Sequence, residues 1–345
     1  MQKFMEKALA LAQKAKGMVS PNPLVGAVVV RRGKVVGTGY HKEFGKEHAE
    51  VIAIKNAGKK AKGADLYVTL EPCNHYGKQP PCTKSIISAG IRRVFAAMYD
   101  PNKKSLHGAA ELKKHGIKVH VGMLEREAKE QNEFYIKSLA LQRPFITIKI
   151  AITQNGAISW GSGKNKKITG KAAFEFTQKL RAEHDAALVG KNTVLKDNPQ
   201  LTVRKNPKLN PFRIVLDSRC EIPISSKIFS KKGAIVACTK KAPRKNIQKL
   251  KRKGIVVIIA KEKRGQVDLF DLMKKLYKIG ISSVLVEAGS NTASSFLGQK
   301  LFDRIIIIVN EREISGKGAF FLHPKVSAKI IEKKMLGKDL LIVAK

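Results

Sequence analysis

Leu70-Glu71-Pro72-Cys73-Asn74-His75-Tyr76-Gly77-Lys78-Gln79-Pro80-Pro81-Cys82 is the most informative stretch of this chain. It sets two cysteines, each preceded by proline, downstream of His48-Ala49-Glu50. Singly these residues say little. A histidine near a helix start is commonly a cap or a surface residue, a cysteine commonly packs in a core, and a helical glutamate is commonly exposed. In this order they supply one imidazole and two thiolates, the three protein ligands of a hydrolytic zinc site whose fourth position stays open. His48 is predicted to start a helix and Cys73 to follow a strand over residues 65–70. Cys82 is predicted to open the next helix, where the partial positive charge of the N-terminus favours a thiolate.

Working outward, residues 2–16 fit an amphipathic helix, and 25–31 with 34–40 a hairpin around Arg32-Gly33. Helices are expected over 48–57, 81–89 and 107–115, and strands over 65–70, 92–97 and 117–121. Residues 124–140 read as a polar helical bridge. Arg143-Pro144 then punctuates the chain, which places a boundary near 143 and gives domains 1–143 and 144–345. In the second half, strands are expected over 145–152, 186–190, 212–217, 234–238, 255–260, 282–287 and 303–309. Helices are expected over 171–183, 268–278 and 292–299. Both halves are α/β by this alternation. The strand over 282–287 runs into Gly289-Ser290-Asn291-Thr292 and a helix. Small residues there let a phosphate approach the backbone, although an ordinary Ser/Asn/Thr helix cap has the same look.

Composition narrows the class. At 345 residues the chain is long enough for two domains, and 43% hydrophobic residues suffice for a core in each. No apolar run approaches the roughly 18–20 residues of a membrane span. Met1-Gln2-Lys3-Phe4-Met5-Glu6 opens an amphipathic helix rather than a secretory leader, so a cytoplasmic location is expected. Of the four cysteines, Cys220 and Cys238 lie on apolar stretches and read as packing. The net charge of +40 raises the question of nucleic acid. Lysines are spread over both halves, however, and aromatics, 6% of the chain, do not interleave with a basic run to make a base-stacking platform. A solvated basic exterior that attracts phosphorylated substrates is the simpler reading. A homo-oligomer is expected.

His-x-Glu followed by Pro-Cys and a second cysteine is the ligand set of zinc nucleobase deaminases, in which the glutamate moves protons and does not bind the metal. Glu50 takes that role. The eight residues between Cys73 and Cys82, Asn74 to Pro81, replace the two of the general signature. With Ser20-Pro21-Asn22-Pro23-Leu24-Val25-Gly26-Ala27, the 70–82 segment and Asp100-Pro101-Asn102, the chain strongly resembles the bifunctional riboflavin-biosynthesis deaminase/reductases over nearly its whole length. The resemblance implies a cytidine-deaminase-like three-layer domain followed by a dihydrofolate-reductase-like α/β domain that uses NADPH. It implies that Asn22, His75, Lys78, Asp100 and Asn102 meet a phosphorylated pyrimidine.

In the second half the resemblance runs through Arg143-Pro144-Phe145, Ile168-Thr169-Gly170, Leu180-Arg181-Ala182, Thr193 to Pro199, Leu201 to Arg204, Val215 to Arg219 and Val286-Glu287-Ala288-Gly289. It implies NADPH contacts at Ala151, Lys167, Thr193, Asp197, Ser218, Gly289, Ser290, Asn291, Thr292, Ala293 and Ser294. It implies substrate contacts at Asn165, Arg181, Leu201, Arg204 and Glu287, with the two arginines as phosphate clamps. Asn165-Lys166-Lys167 stands where the family has Ser-x-Trp. The implied reactions are hydrolytic deamination of 2,5-diamino-6-(5-phosphoribosylamino)pyrimidin-4(3H)-one and NADPH-dependent reduction of the ribosyl group of the product. Two other readings stay open at this point: an RNA or nucleobase deaminase with an appended basic module, and a deaminase with a decayed reductase half.

Overall fold

Gly26 and Gly39 set the layering of the N-terminal half. They lie on β1 (Gly26–Arg31) and β2 (Lys34–Tyr40), which pair antiparallel with Ala27 opposite Gly39. Successive residues of a strand face opposite sides, so Gly26 and Gly39 point to different faces of the sheet. A Cβ on Gly26 would sit 2.0 Å from the Ala8 carbonyl oxygen of α1 (Gln2–Gln13). A Cβ on Gly39 would sit 2.4 Å from the Ala49 carbonyl oxygen of α2 (Ala49–Ala57). Only glycine lets both helices seat directly on the strands, one on each face, which makes the three layers.

The computed structural model describes all residues except 104, 106, 160–167, 288, 314–318 and 321–327. It divides into two units, Met1–Leu141 and Gln142–Lys345. The first continues with β3 (Asp65–Val68), α3 (Cys82–Ser88), β4 (Arg93–Ala96), α4 (Gly108–Lys114), β5 (Lys118–Val121), α5 (Glu125–Gln131) and α6 (Glu133–Leu141). Its sheet has the order β2-β1-β3-β4-β5 and is parallel from β3 to β5. Val28, Val29, Leu66, Val68 and Val94 fill the core with alanines 8, 49, 53 and 57 of the helices. Small side chains on both helices follow from the close approach. The bridge expected over 124–140 is two helices, not one. The break falls at Asn132, whose amide turns inward to the backbone of Leu24.

The second unit contains β6 (Phe145–Thr153), β7 (Ala157–Ser159), α7 (Lys171–Glu183), β8 (Ala186–Gly190), α8 (Lys191–Asp197), β9 (Phe212–Leu216), β10 (Ala234–Cys238), α9 (Arg244–Arg252) and β11 (Val256–Ile259). It continues with β12 (Glu262–Lys263), β13 (Gln266–Val267), α10 (Leu269–Lys278), β14 (Ser283–Glu287), α11 (Ser290–Gly298), β15 (Arg304–Asn310), β16 (Ala319–Phe320), β17 (Ile330–Leu336) and β18 (Asp339–Ala344). Nine strands form one sheet in the order β11-β10-β9-β8-β14-β6-β15-β18-β17. The strands from β11 to β15 run parallel, and the C-terminal hairpin adds two antiparallel strands. The first strand of the unit, β6, therefore lies inside the sheet beside β14. Crevices at the carboxyl ends of such strands are where open α/β sheets bind ligands. The helix expected over 292–299 starts at Ser290, because Gly289 is extended (φ −68°, ψ 174°) and serves as the N-cap. Among the described residues no helix is long and apolar enough to cross a membrane.

Candidate functional site

His48 is the N-cap of α2, and α3 begins at Cys82, so each of these ligand candidates sits on a helix start. Cys73 lies in the segment after β3, and its carbonyl accepts the Thr83 N–H. The three converge. His48 Nδ1 lies 3.1 Å from Cys82 Sγ and 3.5 Å from Cys73 Sγ, and all three donor atoms lie within 4.8 Å of one another. The Cys82 N–H points at Cys73 Sγ, 3.4 Å away. A hydrogen bond from the Cys82 thiol, reinforced by His48, holds Cys73 well below the usual thiol range. The hydrogen bond to Cys73 in turn raises His48 against the effect of burial. One nitrogen and two sulfurs, largely shielded from water, with one sulfur already favoured as thiolate, fit zinc in number and softness.

Glu50 is buried beside this cluster, 4% exposed. Burial pushes its carboxyl up to about 7, against the charge of His48. Glu71, adjacent in the motif, does different work. Its Oε1 accepts the Ala109 N–H of α4 at 2.9 Å, and its Oε2 accepts the Asp100 N–H at 3.4 Å. This carboxylate ties the 70–73 segment to the loop that carries Asp100 and Asn102. The Asp100 carboxylate is itself committed, because its Oδ1 accepts from Asn102 N–H and from the Tyr135 hydroxyl, each at 2.9 Å.

Asn22 lies on the loop that precedes β1, where its Nδ2 meets His41 Nε2 at 3.1 Å. His41 Nδ1 faces the Glu47 carbonyl at 3.1 Å, which can only accept. The proton therefore sits on Nδ1, and Nε2 accepts from the Asn22 amide. Burial lowers His41, in keeping with a neutral ring, which packs edge-on to His48 with centroids 5.4 Å apart. His75 and Lys78 lie in the eight-residue insertion. His75 Nδ1 is buried and has no hydrogen-bond partner among the described residues, while the Lys78 ammonium rests 3.9 Å over the Phe44 ring.

In the second unit, Arg181 of α7 grips Glu287 at the carboxyl end of β14, with Nε to Oε1 2.6 Å and Nη2 to Oε2 2.9 Å. Arg181 Nη1 also donates to the Thr202 carbonyl at 3.2 Å. Three of the five N–H groups of this guanidinium are thus engaged by protein. A buried carboxylate needs such a counter-charge. Arg204 is exposed and stacks on Phe174 at 4.8 Å, and Leu201 is buried with φ +52°. Gly190, Thr193, Gly289 and Thr292 come together where α8 and α11 begin. A Cβ on Gly190 would sit 2.5 Å from Thr292 Oγ1, and one on Gly289 3.8 Å from Thr193 Oγ1. The N-cap of α11 is Gly289, which has no side chain to cap the first N–H groups. Close backbones around an uncapped helix start fit the phosphates of a dinucleotide. Ala151, near the carboxyl end of β6, and Ser218, after β9, are half-buried, and Asp197, at the end of α8, is exposed. Asn165 and Lys167 lie outside the described residues.

Sequence reasoning missed Lys149. It is the register partner of Glu287 on β6, so both side chains rise from the same face of adjacent parallel strands. Burial lowers its pKa, partly offset by Glu287. A lysine inside Phe145-Ile146-Thr147-Ile148-Lys149-Ile150 was the available signal, since strand interiors seldom hold an ammonium without a purpose.

Family models divide the chain in the same way. The cytidine and deoxycytidylate deaminase zinc-binding region matches residues 1–98, and the RibD C-terminal domain matches residues 144–312. That pairing defines a two-unit deaminase and reductase. The chain is 44% identical to the riboflavin biosynthesis protein RibD of Aquifex aeolicus (strain VF5), covering 99% of this chain and 97% of that one. It is 37% identical to RibD of Escherichia coli (strain K12), covering 89% and 86%. Among solved structures, RibD of Acinetobacter baumannii superimposes with a TM-score of 0.91 at 31% identity, over 99% of this chain and 98% of that one. A diaminohydroxyphosphoribosylaminopyrimidine deaminase/5-amino-6-(5-phosphoribosylamino)uracil reductase of Thermotoga maritima superimposes at 0.86 with 35% identity, over 100% and 98%. The chain belongs to the RibD family of bifunctional riboflavin-biosynthesis proteins.

Proposed function

We propose that the first unit, over residues 1–143 as a domain, hydrolytically deaminates 2,5-diamino-6-(5-phosphoribosylamino)pyrimidin-4(3H)-one. The second, over 144–345, reduces the ribosyl group of 5-amino-6-(5-phosphoribosylamino)uracil to ribityl with NADPH. The observation that carries the reading is the convergence of His48 Nδ1, Cys73 Sγ and Cys82 Sγ within 4.8 Å beside the buried carboxyl of Glu50. His48, Cys73 and Cys82 would hold zinc, which supplies Lewis-acid activation when bound.

The chain's own residues do the rest. Glu50, two residues past His48 and not a ligand, takes a proton from water and returns it to the departing amine. Asn22, held through Nδ2 by His41, keeps Oδ1 for a donor on the pyrimidine. The lone buried Nδ1 of His75 awaits a polar partner of the same ligand, and Lys78 and Asn102 complete the wall. In the second unit, Gly289 to Ser294, with Thr193, Asp197, Ser218 and Ala151, would hold NADPH with its phosphates at the start of α11. Lys149, Glu287 and Arg181 set a line of alternating charge under the ribose, with Leu201 and Arg204 at its rim. Hydride comes from the cofactor, and the protein supplies position and charge.

The deciding experiment incubates the purified protein with the diaminopyrimidine phosphate, with and without NADPH, and identifies the products by mass. The expected result is the deaminated ribosyl compound without cofactor and the ribityl compound with it. An unaltered amino group in both reactions would overturn the deaminase reading. Deamination with no reduction would overturn the reductase reading.

A further inference from the structure

The two helices that close the first unit carry none of the metal ligands, and the match to the deaminase zinc-binding region ends at residue 98. Yet they reach both loops that carry candidate pyrimidine contacts, the one with Asn22 and the one with Asp100 and Asn102. Asn132, between α5 and α6, is 2% exposed. Its Oδ1 accepts the Leu24 N–H at 2.8 Å and its Nδ2 donates to the Leu24 carbonyl at 3.1 Å. Leu24 follows Asn22 by two residues, so this amide fastens the start of α6 to the Asn22 loop. Tyr135 is the third residue on. Its hydroxyl donates to Asp100 Oδ1, the same oxygen that accepts the Asn102 N–H.

We propose that Tyr135 is a positioning residue of the deaminase: α6 is a bracket, anchored at Asn132 to the Asn22 loop, that holds the Asp100–Asn102 wall at a set distance from it. The proposal rests on the reading that Asn22 and Asn102 contact the pyrimidine. The bland account is that a half-buried tyrosine merely satisfies its hydroxyl. Three features argue for more. The partner is an irregular loop, which has no strand ladder of its own to hold it. Asp100 Oδ1 joins Tyr135 to the backbone of Asn102 in two bonds, so a shift of the phenol is passed to Asn102. Asn132, one turn earlier at the same helix start, is fixed to the Asn22 loop, so a single rigid turn joins the two loops. A binding constellation works only when its members are held to about 0.5 Å, and loops reach that only with such support.

The test uses full-length, zinc-loaded protein and the diaminopyrimidine ribose phosphate. Tyr135→Phe removes one hydroxyl and keeps the ring. A hydrogen bond to a carboxylate is worth enough to raise the deaminase KM about tenfold. The kcat should stay within about twofold, because Glu50 and the ligands are untouched. Zinc content, melting temperature and reductase activity should match the wild type. Asp100→Ala, which removes the shared acceptor oxygen, should also raise KM, and Tyr135→Phe should add nothing further in that background, since residues in one chain of contacts are non-additive. A wild-type KM in Tyr135→Phe with an impaired Asp100→Ala would overturn the bracket while leaving the pocket reading intact. Additive effects, or an equal fall in kcat with loss of zinc, would also overturn it by showing a general structural role. A wild-type Asp100→Ala would overturn the pocket reading itself, and the bracket with it.

Discussion

Arg181 and Glu287 face each other in a two-pronged ion pair, with side chains only 14% and 11% exposed. Glu287 is in addition the strand neighbour of Lys149, so one carboxylate serves two partly buried cations. Burial opposes its ionisation, but Arg181 and then Lys149 outweigh that and hold it below the ordinary glutamate range. Glu287→Gln leaves both cations without a counter-charge, and breaking a buried pair from one side costs about 3–5 kcal/mol. A folded pKa below the unfolded one adds stability above the unfolded value, and that stability is lost as pH falls through the folded value. Wild-type protein should therefore lose stability on acidification below the ordinary glutamate range more steeply than Glu287→Gln, which should be the less stable of the two at neutral pH. Denaturant titrations of the second unit across that range check both points. Parallel pH profiles would show that Glu287 is not the group responsible.

Chelation should separate the two activities. The imidazole–dithiolate cluster belongs to the first unit, whereas Lys149, Arg181 and Glu287 belong to the second. Purified protein should carry close to one zinc per chain. Cys82→Ser should lose most of it, because a hydroxyl replaces the thiolate of a three-ligand site. Treatment with a strong chelator should abolish deamination and leave reduction of the deaminated substrate intact. Zinc retained in full by Cys82→Ser, measured by atomic emission, would place the metal elsewhere.

Glu50→Gln should separate catalysis from metal binding. The side chain keeps its shape and is not a ligand, so zinc content and melting temperature should hold. Deamination should fall by about 10²-fold or more, the usual scale for losing a proton shuttle. Product release followed by mass under single-turnover conditions measures it. Wild-type turnover would mean that protons travel by another route.

What could be read in advance follows from how each feature is encoded. The cluster of His48, Cys73 and Cys82 was legible because metal coordination would demand particular residue types in a particular order, His48-Ala49-Glu50 and then Pro-Cys twice. The strands β8 and β10 and the helix α7 were legible at their observed limits because short apolar runs and helical periodicity are local signals. The helix α9, Arg-Lys-Asn-Ile-Gln-Lys-Leu-Lys-Arg, was not, since only Ile247 and Leu250 mark its inner face. The C-terminal hairpin of β17 and β18 escaped notice for a related reason. All residues of β17 but one are exposed, so the strand carries no alternation of burial. The positioning residues were the least visible. Nothing local in Asn132, Tyr135 or His41 announces a partner, because Leu24, Asp100 and Asn22 come to them only through the tertiary fold.

Gly190 offers the sharpest test of where NADPH sits. It is the N-cap of α8, with an ordinary φ of −84°, so alanine meets no backbone strain there. The obstacle is a neighbour: the added Cβ would fall 2.5 Å from Thr292 Oγ1 on the first turn of α11. Contacts that short force something to shift, either the Thr292 side chain or the helix start that carries it, whose N-cap Gly289 has no capping side chain. Overpacking of this kind costs about 1–3 kcal/mol. If that cost falls on the nucleotide-bound arrangement, NADPH binding to full-length Gly190→Ala weakens by about 5- to 150-fold. Calorimetric titration with NADPH reads the change directly, and deaminase kcat and KM serve as the control, since Gly190 and Thr292 both lie in the second unit. Thr292→Ser keeps the hydroxyl but removes a methyl group, giving the side chain more room to turn away, and in the Gly190→Ala background it should restore part of the affinity. Unchanged affinity in Gly190→Ala, with the fold intact by melting temperature, would move the phosphates away from the start of α11 and leave that turn as an ordinary helix cap.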